Sequence, residues 1–200
     1  MVNTQAIIHP QIWELAPQFR AISISVKADQ LINPMAGAES LKLACQHFLN
    51  SDFDWATAHI KAWDEMYKKF GAKPQKTPNS AHALRKRVIK DGSLTSIDPI
   101  VDLYNAISIK YAIPVGGENI GAYTGSPHLV LSDGTEKFDT VKEGQIFYET
   151  PEPGEVIWKD DIGVTCRRWN WRQGVRTRLD SSAKDMWFIL ESLGEMPLEA

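Results

Sequence analysis

The sequence predicts an α+β fold, with the helices mostly in the N-terminal half and mixed, short strands after them. Apolar residues recur at helical spacing from Ala38 to Tyr111. After Pro114 they fall into brief runs separated by Gly- and Pro-bearing turn signals. Strands and helices do not alternate regularly, which argues against a Rossmann-type arrangement.

In chain order, Phe19–Val26 alternates in places and reads as a strand. Leu41, Ala44, Cys45 and Phe48 form the apolar stripe of a helix from Ala38 to Asn50. A second helix starts at Asp52 or its neighbours and runs to Phe70, with Trp55, His59, Ala62, Trp63, Met66 and Phe70 on one side. Gly71 suits its C-terminal stop. Asn79 or Ser80 caps a third helix to Lys90, and Gly92 follows it. Asp98-Pro99 opens the next helix: the Asp carboxylate accepts orphan N–H groups, and Pro fits the first helical position. Ile100, Leu103, Tyr104, Ile107 and Tyr111 make its apolar stripe. Val101, Asn105, Ser108 and Ala112 share a neighbouring face, where Asn105 either lines a pocket or satisfies local backbone. Gly116-Gly117-Glu118, Gly121, Gly125-Ser126-Pro127 and Asp133-Gly134 read as turns. The strand-like runs are His128–Ser132, Gln145–Tyr148, Glu155–Lys159, Gly163–Trp169 and Met186–Ser192.

Two hundred residues suit a single domain, 1–200, large enough for its own core. At 43% hydrophobic and 24% charged, the chain reads as globular. A net charge of −3 argues against a generally basic nucleic-acid binder. The charge is unevenly spread: 12 Lys/Arg against 9 Asp/Glu in the first hundred residues, 10 against 16 in the second. Yet five of the eight arginines, Arg167, Arg168, Arg172, Arg176 and Arg178, fall in one short segment of the acidic half, and Arg85-Lys86-Arg87 with Lys90 forms another cluster. They are either contacts for phosphate or carboxylate, or members of intramolecular ion pairs. No apolar run approaches the ~20 residues of a membrane span, and the N-terminal stretch lacks the pattern of a signal peptide. A cytoplasmic protein is expected.

Two cysteines, Cys45 and Cys166, build neither a disulfide framework nor a four-thiolate zinc site, and the five histidines lack metal-ligand spacing. No metal and no cofactor are expected. His59, on a helix stripe, reads as a satisfied core residue, and Cys166 as a buried thiol. The dense region is Trp158 to Trp187. Along an extended strand Arg168, Asn170 and Arg172 point one way, and Arg167, Trp169 and Trp171 the other. The first face suits an anionic or polar ligand, the second a core, and the aromatic-plus-Arg texture also suits stacking on bases.

The run Asp98-Pro99-Ile100-Val101-Asp102-Leu103-Tyr104-Asn105-Ala106-Ile107-Ser108-Ile109-Lys110 with Pro114-Val115-Gly116-Gly117 resembles the B3/B4 domain family. So do Pro153-Gly154-Glu155-Val156-Ile157-Trp158, Asp160-Asp161 and Cys166-Arg167-Arg168-Trp169-Asn170-Trp171-Arg172. That family comprises the B3/B4 module of the phenylalanyl-tRNA synthetase beta subunit and free-standing relatives. The likeness runs from about Trp63 to Leu193 and is stronger to the free-standing group. It implies mixed sheets flanked by helices. It also implies tRNA binding or editing: in the synthetase, this module hydrolyses tRNA charged with the wrong amino acid, chiefly tyrosine. The implied partner is tRNA or the 3′ end of aminoacyl-tRNA, with no DNA and no membrane.

Gly174 followed by Glu191 is similar in order and spacing to the glycine-rich turn and the glutamate of the synthetase pocket. The histidine that follows that pocket's Asn-bearing helix has no counterpart in Pro114–Asn119. Ester hydrolysis there would use Glu191 as the catalytic group that positions or deprotonates water. Backbone N–H groups near Gly116, Gly117 or Gly174, or an Arg side chain, would stabilise the oxyanion, and Glu118 or Asp161 would hold the substrate ammonium. Asn105, Arg168, Asn170 and Arg172 complete the substrate set, and Arg85, Arg87 and Arg167 would meet phosphates. The alternative is a non-catalytic RNA- or amino-acid-binding module that keeps the pocket.

Overall fold

The computed structural model describes residues 5–28 and 33–200; the first four residues of the N-terminal stretch lie outside them. In chain order the elements are β1 (Ile7–Ile8), α1 (Pro10–Leu15), β2 (Arg20–Lys27), α2 (Ala36–Asn50), α3 (Ala56–Lys69), α4 (Ser80–Asp91), α5 (Pro99–Tyr111), β3 (Val115–Asn119), a short 3₁₀ turn (Ile120–Ala122), β4 (His128–Leu131), β5 (Phe138–Lys142), β6 (Gln145–Glu149), β7 (Val156–Lys159), β8 (Val164–Arg167), β9 (Arg172–Gln173) and β10 (Asp185–Ser192). The architecture is α+β, with its helices mostly in the N-terminal half.

The helix signals act as their chemistry requires. Asp98 accepts from the N–H groups of Ile100 and Val101, with Pro99 in the first turn. Asn79 accepts from His82 N–H, and Gly92 ends α4 in the left-handed region. Past α3, Gly71 N–H bonds to Lys68 O and Ala72 N–H to Tyr67 O, with Gly71 at φ +85°. That double bond is a Schellman stop, and the positive φ is why the position favours glycine. The second helix begins later than Asp52, at Ala56.

Two sheets form. The larger runs β1-β4-β7-β8-β5-β6, with β9 beside β8; the smaller runs β2-β10-β3. β1–β4 and β5–β8 pair parallel and the remaining pairs antiparallel, so the sheets are mixed. In the smaller sheet Lys27 lies opposite Asp185 and Arg20 opposite Ser192.

Gly116 and Gly117 are not a turn; they lie inside β3. A Cβ on Gly117 would sit 2.8 Å from the Tyr104 ring, and one on Gly116 would sit 3.1 Å from Ile189 Cγ2. These are strand glycines where other groups approach the backbone closely. α5 also departs from the simple stripe. Its deepest residues are Asp102, Ala106, Ser108 and Ile109, and Ile107 is exposed. Ala106 and Ile109 pack on Leu41, Ala44 and Cys45 of α2, while Tyr104 reaches across to the small sheet, so the helix is buried on two sides.

One face of the small sheet, carrying Trp187 and Ile189, meets Trp158, Leu129 and Cys166 of the large sheet, Trp169, and Trp63 and Tyr67 of α3. This principal core forms the wall of the site. His59 is satisfied within it: its Nδ1–H donates to Ala112 O (2.8 Å), while Nε2 accepts from Trp63 Nε1 and Leu193 N. Burial lowers its pKa, which suits this neutral arrangement.

Candidate functional site

Period-two geometry places Trp187, Ile189 and Glu191 on one face of β10. β3 lies antiparallel to it, with Glu118 opposite Trp187 and Gly116 opposite Ile189. Glu118 and Glu191 therefore share that face, and Gly116 leaves the space between them open. Above it, α4, α5 and the β8–β9 hairpin enclose a cavity of about 250 Å³. Glu118, Glu191, Asn170, Asn105, Gly116 and Arg172 all line it, with aromatic walls from Trp158, Trp169, Trp171 and Tyr104. No histidine lines it.

Glu191 is fully buried. Its Oε1 accepts from Trp158 Nε1 and Trp169 Nε1, and its Oε2 from Asn170 Nδ2, each at 3.0 Å. Tyr67 donates to Asn170 Oδ1 at 2.7 Å, which orients the amide. Burial pushes the Glu191 pKa up to about 7, against the pull of the three N–H donors. Glu118 is pushed up to about 7 for the same reason and accepts from Tyr123 Oη at 2.6 Å. Neither acid forms a salt bridge among the described residues, although the Arg176 charge pulls on Glu118. Other buried acids differ: Glu155 is paired with Arg167 and Asp160 with Arg176. Cys166 also lines the cavity, and burial together with the two carboxylates raises its pKa, which keeps it a thiol. Ser80 Oγ in the cavity wall is buried with no hydrogen-bond partner.

Extended-strand alternation fails at the tip of the hairpin. β8 ends at Arg167, and Arg168 and Trp169 follow at φ +47° and +66°, both left-handed. This tight turn brings Trp169 and Asn170 together onto Glu191 and separates Asn170 from Arg168. Arg168 leaves the cavity lining, sits over the Trp171 ring at 4.6 Å and approaches Glu155 at 3.7 Å.

Other expected site residues stand elsewhere. Asp161 is exposed outside the cavity, its N–H on Thr124 O. Gly174 donates its N–H inward to Thr165 O, so it offers no free oxyanion donor. Gly117 faces Tyr104, and its carbonyl accepts from Gln173 Nε2. Two phosphate candidates are internal. Arg85 is buried against Asp52 and the Phe48 ring. Arg167 is buried in a bidentate pair with Glu155 and a further bond to Glu149. Arg87 remains exposed on α4. The basic island is thus largely neutralised from within, by Glu155 and Asp160 from other segments. Sequence reasoning missed Trp158 and Trp169 as donors to Glu191 and Tyr67 as the group that orients Asn170; the signal for the first two was the indole N–H, which needs an acceptor when buried. Among the described residues no group of three or more His, Cys, Asp or Glu could hold a metal ion, and no helix is long and apolar enough to cross a membrane.

Fold and cavity define an α+β pocket domain whose two buried carboxylates form no salt bridge among the described residues. Residues 62–196 match the B3/4 domain, and the chain belongs to that family, which is linked to tRNA synthetase beta subunits. A search of curated proteins finds no match to the chain.

Proposed function

We propose that the protein binds the aminoacyl end of a charged tRNA and hydrolyses mischarged aminoacyl ester in trans, as one domain spanning residues 1–200. The observation that carries this reading is that Glu191 and Glu118, both buried and both with pKa values pushed up to about 7, face one aromatic-walled cavity. A carboxylate that titrates near neutral pH is matched to general-base work on water. Glu191 takes that role, held in place by Trp158, Trp169 and Asn170. Glu118, with no salt bridge of its own, receives the substrate ammonium. Asn105 and the backbone at Gly116 meet the acyl group. Arg172 and Arg168 at the rim, with Arg87 on α4, remain for phosphates; Arg85 and Arg167 are committed to internal pairs.

Deacylation of a panel of mischarged tRNAs, with binding recorded in parallel, tests the reading. Turnover by the wild-type protein that is lost in Glu191→Gln supports it; no turnover above buffer on any charged tRNA defeats it. The second reading is a non-catalytic RNA- or amino-acid-binding module. It is favoured by the Glu191 carboxylate already accepting three hydrogen bonds, and it expects binding without turnover.

A further inference from the structure

β2 is an open edge of the small sheet: among the described residues it pairs with β10 alone. One bond just past its end fixes where its backbone groups point. Ala28 N–H donates to Lys184 O at 2.9 Å, in register with the ladder. Hydrogen-bonded pairs alternate in an antiparallel ladder, so Val26, Ile24 and Ile22 also bond inward to β10. The N–H and C=O groups of Ala21, Ser23, Ser25 and Lys27 therefore turn outward. The bond from Glu191 N–H to Pro114 O, on the other side of β10, keeps the same alternation.

The side chains alternate too. Ser23 Oγ accepts from Trp187 Nε1 on the core face. Ile22, Ile24 and Val26 share the opposite face and are 61, 42 and 37% exposed. Beside Ile22 that face opens into a second cavity of about 250 Å³, walled by Ile107, Tyr111 and Leu190. Long apolar edges are normally blunted by proline, a bulge or a charge in mid-strand. β2 has no proline and no register shift, and its two cations stand at its ends. Arg20 is turned to Leu193 O and Met196 O, and Lys27 lies 3.9 Å from Asp185.

The strand is its own complement. Turned end for end about Ile24, it sets Ile24 opposite Ile24, Ile22 opposite Val26 and Ser23 opposite Ser25. Arg20 and Lys27 then meet Ala28 and Ala21 instead of each other, and each outward backbone group faces another outward group. A centre at Ser23 would set Val26 against Arg20, and one at Ser25 would set Ser23 against Lys27. Between its ends the edge holds no charge that would select a foreign acidic strand.

We propose that two copies of the chain pair antiparallel through β2, about a two-fold axis at Ile24, joining their three-stranded sheets into one. The contact is isologous, the same patch serving on both copies. Val26 of the second copy lies at Ile22, beside the second cavity. Both Glu191 side chains then project from the same face of the joined sheet. One strand a side gives an interface at the small end of the size range, below about 1,200 Å², so the dimer dissociates at about micromolar to tens of micromolar concentration. The proposal rests on no reading of the Glu191 cavity.

Sedimentation velocity of the full chain, from about 1 to about 200 µM, should show monomer passing to dimer. Ser25→Pro removes an outward N–H, and Ile24→Lys sets two ammonium groups at the axis. Each should weaken the dimer at least about tenfold while the variants melt as wild type does. The register has its own test. Ile24 meets its copy as a non-hydrogen-bonded pair, with Cα atoms about 4.5 Å apart, within the reach of a disulfide. Ile24→Cys should therefore cross-link under mild oxidation. Ile22→Cys alone should not, but mixed with Val26→Cys it should. The natural Cys45 and Cys166 are buried and do not compete. A monomer at every concentration overturns the proposal, even if some other extended peptide binds β2. So does a dimer unchanged by both Ser25→Pro and Ile24→Lys, which would lie on another surface. Self-linking of Ile22→Cys without that of Ile24→Cys overturns it as well.

Discussion

Replacing Glu191 by Gln should change how stability depends on pH. In the folded protein burial pushes the carboxyl pKa from an ordinary 4.5 up to about 7. The unfolded chain releases this proton near its ordinary value while the folded chain keeps it. Stability from this group is full below the unfolded pKa and is lost as pH rises through the folded pKa. The full loss is about 3 kcal/mol, of which about 2 kcal/mol falls between about pH 5 and about pH 8. Glutamine removes the titration and nearly keeps the shape: its oxygen can accept both indoles, and its NH₂ is accommodated if the Asn170 amide flips, with Tyr67 Oη then accepting. Other groups titrate in the same window. Glu118 has the same sign, whereas His59 and His128, with pKa values lowered by burial, have the opposite one. The informative quantity is thus the difference between wild type and variant. Urea unfolding followed by tryptophan fluorescence at several pH values measures it. The variant should gain about 2 kcal/mol relative to wild type on going from about pH 5 to about pH 8. A difference that does not change with pH refutes the reasoning, because the raised pKa would then not belong to Glu191.

Arg167→Ala should destabilise the fold by about 3 kcal/mol in chemical denaturation, because it removes the bidentate partner of buried Glu155 and leaves only Arg168 at 3.7 Å; a neutral result would mean that Arg168 or water takes over. Gly117→Ala drives a methyl group into the Tyr104 ring and should cost about 1–3 kcal/mol. Combining it with Tyr104→Leu should recover part of that loss in the same unfolding assay, and no recovery would place the strain elsewhere.

The helical half was legible because its signals are local. Asp98-Pro99, Asn79 and Gly71 each act within a few residues of themselves, so spacing and side-chain chemistry suffice. Glu191 was legible through order and spacing in a family resemblance, and its burial agrees with a position inside a pocket. Three features were not legible. Gly116-Gly117 carries the same composition as a turn, and only the approach of Tyr104 and Ile189 makes it a strand. The arginine island reads as a cationic surface until its acids arrive from distant segments, Glu155 for Arg167 and Asp160 for Arg176. The two left-handed residues Arg168 and Trp169 have no glycine to announce them, and they merge the two faces that strict alternation keeps apart, with Trp169 and Asn170 both on Glu191. In each case the deciding partner is remote in sequence.

The pairing of β2 with β10 has a consequence for the order in which the protein can assemble. Its innermost pair, Lys27 and Asp185, encloses roughly 157 residues, a closure whose logarithmic entropy cost is on the order of 4 kcal/mol. Trp158, Trp169 and Asn170 belong to the β7–β8–β9 hairpins, which close over short distances and so form with little such cost. Their common acceptor, Glu191, rides on the strand that completes the longest loop. Three N–H donors therefore share one acceptor, which β3 also holds through its own pairing with β10, and an excursion that unzips β10 from both neighbours strips all three at once. The site and the long-range zipper are a single cooperative unit.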